Sequence, residues 1–504
     1  VLVTAMLGPA WTVKPDTPED TGRQPLAVEA VIGAHATALV PGVITTTPHA
    51  RYLSLHARLA IEAQRRGWAD REDLKALHTL VRRSEVVLGA VSVAHAAAED
   101  GHHLRAGSFG VHGVNTIRPE LQRRRSVDVP RISGTYSRVA GGYLQTYAGI
   151  EAVLGLTDGG GIPQPGPAAD ADQLAALDEI LTVASRDKPL SVADLDALRY
   201  LCVCAMADAP DGDCVRNAYF ADTNGSTYAR VDRDSTALLV GALTGEQIDG
   251  ESIDMSMDRW LCFRPDLRDH VSEELYAHAL VWRGALLRNW SVWAWRLIWA
   301  RLVSPLSDTG TLQQAITKFV HGLPDVTVRE VLLDGLPPVI DGDGNPLPVE
   351  HDLYQEALNA DDWTVLGMLR LLAVGAHRVD LLDPVTRAAY TGPFSDDLGP
   401  GYVTAWLTRD ADRPLVDAVA DLAGALFHRA ESVSRQKMQW TRGGLRLPTR
   451  LRRVGDQWRL EGHEGRAAVS LRLQTLTNVM QQLGVLAHDG DTWSAGPRAI
   501  GGTS

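Results

Sequence analysis

Apolar residues recur at helical spacing through most of the first 440 positions, and that period sets what the chain can fold into. Leu26, Val28, Val31, Ile32 and Leu39 form one such set, closed by the turn-forming pair Pro41-Gly42. Tyr52, Leu55, Leu59 and Ala63 form a second, with Thr47 expected as N-cap, Pro48 at the first helical position and Gly67 as the closing residue. Leu74, Leu77, Val81, Leu88 and Val91 mark a third helix over 73–98. Ser191 is placed to cap another. Residues 281–303 carry five of the thirteen tryptophans. Leu286, Trp290, Trp293 and Leu297 share one face of that stretch and Trp295 and Trp299 another, a wide stripe that reads as core. Further helices are expected within 350–378 and 413–439.

Two runs of turn formers interrupt this pattern, at 158–167 and at 336–348. After Gly443 the period changes to strand-like alternation (Leu445, Leu447, Trp458, Leu460), with turns at Pro448 and Gly455-Asp456. A helix then carries Leu473, Leu476, Val479, Met480 and Leu483 on its apolar side, followed by the Asp489-Gly490-Asp491 turn. Helix, turn and wing have the outline of a winged helix. The expected fold is therefore mainly α, a multidomain helical protein with a small C-terminal winged-helix (α+β) unit. Its divisions are expected at 1–157, 168–335 (acidic and Trp-rich), 349–440 and 441–504 (basic).

The net charge of −13 is unevenly placed. Residues 151–274 hold 24 acidic against 9 basic residues, whereas 435–472 hold 10 basic against 3 acidic. Such separation suggests that one surface meets a polyanion; the plainer alternative is that the opposite charges pair inside the fold. The DNA-contacting residues expected on this basis are Arg442, Arg446, Arg450, Arg452, Arg453, Arg459 and Arg466. Arg472, Gln474, Thr475, Asn478 and Gln481 would add the exposed side of the last helix. No run of about eighteen uncharged apolar residues occurs and the first residues lack a signal-peptide pattern, so no membrane span and a cytoplasmic location are expected. Four cysteines make no disulfide framework.

Local motifs for chemistry are few. Seven of sixteen histidines lie within 49–112, without HExxH or paired CxxC, so ordinary capping or solvent-facing histidines are expected and no metal. Cys202, Cys204 and Cys214 sit in an apolar segment and read as buried thiols. Asp341, Asp343 and Asn345 imitate a calcium loop, but Pro346 stands where its glycine belongs, which favours an Asx-type turn. Gly159-Gly160-Gly161 lacks the Lys-Ser/Thr of a P-loop. No cofactor is expected.

The block Trp11, Pro25-Leu26 and Leu39-Val-Pro41-Gly42-Val-Ile-Thr45-Thr-Thr47-Pro-His-Ala50-Arg51-Tyr52 resembles the opening of a family of uncharacterised bacterial proteins. That family carries a Pro-Gly-Ile-Thr-x-x-Thr-x-Arg-Ala-Arg-Tyr-like motif; here His49 replaces its first arginine and Ala27 a glycine. The resemblance implies a setting beside ATPases, helicases or nucleases of phage defence and carries over no catalytic residue. Arg51 itself falls in the first turn of a helix, where the dipole disfavours a cation, so a buried carboxylate partner is expected. Together these readings give a DNA-binding, partner-docking component of anti-phage defence, non-catalytic by itself, with duplex DNA and neighbour-encoded proteins as partners. The alternatives are a nuclease or base hydrolase whose site forms only in the fold, and a protein-only structural adaptor.

Overall fold

Ser272 begins the longest helix by accepting a hydrogen bond from Leu275 N, and Glu273 and Glu274 complement the dipole in its first turn. The helix runs Glu273–Val303 in the computed structural model, 31 residues or roughly 46 Å. It is buried on almost every side, which is why its tryptophans surround it rather than forming one stripe. The structure describes residues 24–68, 73–98, 111–136, 141–220, 227–243, 252–359, 364–393, 398–441, 444–489 and 492–499. Helix accounts for 65% of it, and the few strands are short. Among the described residues no helix is long and apolar enough to cross a membrane.

The chain divides into two compact units that interleave along the sequence. One takes Val1–His35 and Asp258–Val469; the other takes Ala36–Met257 and Ser470–Ser504. The stretch expected at 441–504 is thus shared between them, with its arginine-rich hairpins in the first and its last helix and final hairpin in the second.

In the first unit the Glu273–Val303 helix packs against Pro384–Thr391 and Val365–Arg378. Gly284 makes the first crossing possible, since a Cβ there would lie 2.5 Å from the Thr386 carbonyl oxygen. Trp282 and Trp295 are fully buried, and Trp295 Nε1 donates to Leu398 O at 2.7 Å. Arg378 is held by Glu350 in a buried two-point pair (2.9 and 2.7 Å) and donates to the carbonyls of Val339 and Leu347. Asp341 accepts from the backbone of Asp343 and Asn345, closing the expected Asx-type turn.

In the second unit Leu74–Ala96, capped by Asp73, packs against Val114–Arg124, Val129–Tyr136, Asp178–Ala184 and Val192–Ala197. Ser191 and Asp194 close a capping box, as the sequence predicts for Ser191. The second helix starts three residues later than expected: it spans Arg51–Arg65 with Ala50 at the N-cap, because the Thr47 hydroxyl donates to Ile44 O in the preceding turn. Gly67 ends it at a φ of +65°. Ser126–Val127 pairs with Leu190–Ser191, a two-residue ladder too short to leave a period in the sequence.

Candidate functional site

The arginine-rich segment folds as two antiparallel hairpins, Gln439–Thr441 with Gly444–Arg446 and Leu451–Val454 with Gln457–Leu460. Alternation seats Leu445, Leu451 and Trp458 in the core; Arg453 shares the face of Leu451 and Trp458 but reaches solvent, while half-buried Arg452 and exposed Arg459 lie on the other face. Trp458 is locked further by reciprocal backbone bonds with Gly310 (2.8 and 2.7 Å). Arg452 and Arg459 stand directly opposite each other, a like-charge pair that costs the sheet stability unless an anion intervenes. Glu461 supplies part of that charge, 3.5 Å from Arg452 and 3.1 Å from Arg459. Burial holds the Arg452 guanidinium below its usual range, against the pull of Glu461, and nearby Arg446 adds to the lowering.

The other expected DNA contacts divide into tied and open groups. Arg450 is tied, bonded to Glu464 and His463 O. Arg453 bonds to Asp456 and Gly455 O but stays exposed, as do Arg459 and Arg466. Arg442 lies outside the described residues. Six arginines over 444–466 face three carboxylates, so internal pairing neutralises about half of the block. Trp440, on the first hairpin, is 77% exposed. Sequence reasoning passed over it; the signal was a bulky aromatic beside two polar strand residues, Gln439 and Thr441.

Leu473–Gln482 is the expected helix, and Leu486–Asp489 pairs with Thr492–Ala495 as the expected two-stranded hairpin. Its polar side, however, is largely spent within its own unit. Thr475 is buried. Half-buried Gln474 and Asn478 bond to each other, Gln481 is half-buried, and Gln482 accepts from Ala50 N and donates to Pro48 O. Arg472 donates to Val43 O at 2.9 Å, and burial lowers its pKa. The basic block therefore presents its charge from the hairpins.

The block 39–52 is a structural device. Pro41-Gly42 is gripped by Arg233, which donates to Pro41 O, and by Tyr219, whose hydroxyl donates to Gly42 O. Arg51 meets Asp211 in the expected buried pair (3.0 and 2.9 Å) and donates onward to Tyr200 O and Cys202 O. Two helical turns after His49, His56 is wholly buried between Glu85 (2.9 Å) and Glu151 (2.7 Å). Burial pushes its pKa down, but Glu151 and Glu85 together outweigh this and raise it to about 9. Burial raises Glu151, with His56 opposing. Glu85 also accepts from Gly142 N and Tyr143 N, and Thr157 Oγ1 donates to Glu151. Buried and hydrogen-bonded throughout, this triad ties together the elements that carry His56, Glu85 and Glu151. The sequence clue was a carboxylate inside apolar helical runs, Ser84-Glu85-Val86 and Ile150-Glu151-Ala152.

One corner of the second unit is chemically open. A cavity of about 800 Å³ is lined by the helix end Val93–Ala98, by Leu121 and Gln122, and by Arg118, Arg125, Arg199 and Asp196 at exposed positions. His95 lines it, and its Nδ1 lies 3.4 Å from Cys204 Sγ, which lies 3.3 Å from Cys202 Sγ. The contact with Cys204 lowers the Cys202 thiol to about 7, against the effect of burial. Cys202 and Cys214 are buried as expected, with Cys214 donating to Ala168 O, whereas Cys204 is half-buried. No family model matches this chain, nor does any curated protein or solved structure. The functional reading rests on its own residues.

Proposed function

We propose that this protein binds DNA through the two hairpins spanning 439–460 and the segment after them that carries Arg466, and docks a partner that carries out any chemistry. The observation carrying this reading is the unbalanced guanidinium face: Arg452 and Arg459 opposed across one ladder with Arg446 nearby, and one carboxylate, Glu461, between them. A phosphate backbone supplies the missing negative charge, and forked guanidinium donors suit its oxygens. Arg453, Arg459 and Arg466 are exposed enough to reach phosphates without breaking a buried pair. Trp440 adds an exposed aromatic on which an unpaired base can stack.

Contacts of this kind recognise backbone and charge, so little sequence preference is expected. The Leu473–Gln482 helix and its hairpin have a winged-helix outline but are not the DNA-reading surface in this proposal, since the helix's polar groups are engaged at home. An ATPase, helicase or nuclease encoded nearby is the partner this reading anticipates. The test is an electrophoretic shift on duplex DNA with the parent and an Arg453→Gln/Arg459→Gln/Arg466→Gln variant. The parent should shift at low salt and the variant should not; equal shifts would leave the protein-only adaptor in front.

A further inference from the structure

We infer that His95, Cys202 and Cys204 form a three-ligand site for a zinc-class divalent ion, its fourth position left for water or an anion from the adjoining cavity. The ligand atoms lie within 4.8 Å of one another and come from two separately anchored elements. His95 stands in the last turn of Leu74–Ala96. The cysteines belong to the segment that makes two short 3-10 turns, Arg199–Leu201 and Val203–Ala205.

Both elements are fixed before any ion arrives. Ser92, one turn ahead of His95, accepts from Val203 N at 3.2 Å and so ties the helix to the residue between the cysteines. Arg51, anchored on Asp211, donates to Cys202 O at 2.7 Å. The observed separations of 3.3 and 3.4 Å approach the edges of a tetrahedron about Zn²⁺, roughly 3.5–3.8 Å for Zn–S near 2.3 Å and Zn–N near 2.0 Å. Closing the site brings the third pair, His95 and Cys202, which lies within 4.8 Å, to about 3.5 Å, and requires shifts of a few tenths of an ångström at those two contacts. They are far too long for a disulfide, whose S–S bond is about 2.0 Å.

Charge favours the same ligand. Binding M²⁺ displaces one proton from each thiol, releases both to solvent, and leaves two thiolates, one neutral imidazole and the dication as an uncharged core. That suits a corner where Arg51 is already balanced by Asp211. Thiolate and imidazole are soft to borderline donors, which selects zinc-class ions over magnesium or calcium. Three protein ligands and an open fourth position form the pattern that keeps a metal available to an exogenous group. His95 lines the cavity beside Arg118, Arg125 and Arg199, so an anionic group is the matching visitor.

The test uses the full chain, reduced and stripped with chelator, titrated with Co²⁺ alone. One equivalent should bind with a thiolate-to-cobalt charge-transfer band and tetrahedral visible bands, and Zn²⁺ should bleach both. Cys202→Ser/Cys204→Ser should abolish the bands, while Cys214→Ser/Cys262→Ser should keep them. Ser92→Ala, which loosens the helix from the cysteine turn, should weaken binding about 10–100-fold. In the unmutated chain, Zn²⁺ should release protons and slow alkylation of Cys204. Absence of a band and of proton release in that chain would overturn the assignment, as would bands surviving in the Cys202→Ser/Cys204→Ser variant.

Discussion

Removing His56 tests the buried triad. In His56→Ala, Glu85 and Glu151, both fully buried and each within 3 Å of the imidazole, would face each other without a cation. Breaking a buried pair in this way costs about 3–5 kcal/mol, since the desolvation of the remaining charges persists. For a unit of this size each kcal/mol moves the unfolding midpoint by about 2–4 °C, so a fall of about 6–20 °C is expected. The pH dependence follows from the raised pKa. His56 titrates near 9 in the fold against about 6.5 unfolded, so its contribution is complete below about 6.5 and lost as pH rises through about 9. Thermal unfolding at pH 6, 7.5 and 9.5 should show the parent weakening across this range and His56→Ala both lower and without that step. His56→Ala/Glu151→Gln should recover part of the loss by removing one stranded charge. A His56→Ala variant within about 1 kcal/mol of the parent, with the same pH profile, would refute the argument.

Other perturbations give distinct outcomes. Asp211→Ala strands the buried Arg51 guanidinium and should cost about 3–5 kcal/mol, with faster alkylation of Cys202 as its turn loosens, measured by denaturant unfolding and thiol labelling. Gly284→Ala forces a methyl into the Thr386 and Ala389 contact of the crossing helix and should cost about 1–3 kcal/mol. Gly424→Ala, on a helix with nothing within 4 Å of the added Cβ, should instead stabilise by about 0.5–1 kcal/mol in the same unfolding assay. Trp440→Ala should weaken binding to DNA with a single-stranded overhang by about 1–3 kcal/mol and leave blunt duplex binding unchanged, read by fluorescence anisotropy.

The helical architecture was legible because burying an amphipathic face writes a 3.6-residue period into the sequence. The Leu77, Val81, Leu88 and Val91 set and the Ser191 cap are clear cases. The last helix was legible for the same reason, its hairpin from the Asp489-Gly490-Asp491 turn, and the carboxylate opposite Arg51 from the helix dipole. What could not be read was convergence. His56 meets residues 29 and 95 positions away, and His95 meets a cysteine 109 positions away. No local spacing encodes such contacts, since the helices that create them can pack in many ways. The polarity of Gln474, Thr475 and Asn478 suggested a surface, yet polar side chains also satisfy one another and nearby backbone within a fold. That each unit draws on two separate stretches of chain is likewise invisible to composition.

The salt dependence of duplex DNA binding tests the central claim most directly. With Arg453, Arg459 and Arg466 as the exposed contacts, about three phosphates are neutralised, and log K against log salt should fall with a slope near −3. The Arg453→Gln/Arg459→Gln/Arg466→Gln variant should lose most of that slope, whereas Arg472→Gln, whose guanidinium is held at Val43 O, should keep it. No measurable duplex binding at low salt, or a slope that the triple variant leaves intact, would contradict the hairpin face as a DNA-binding surface.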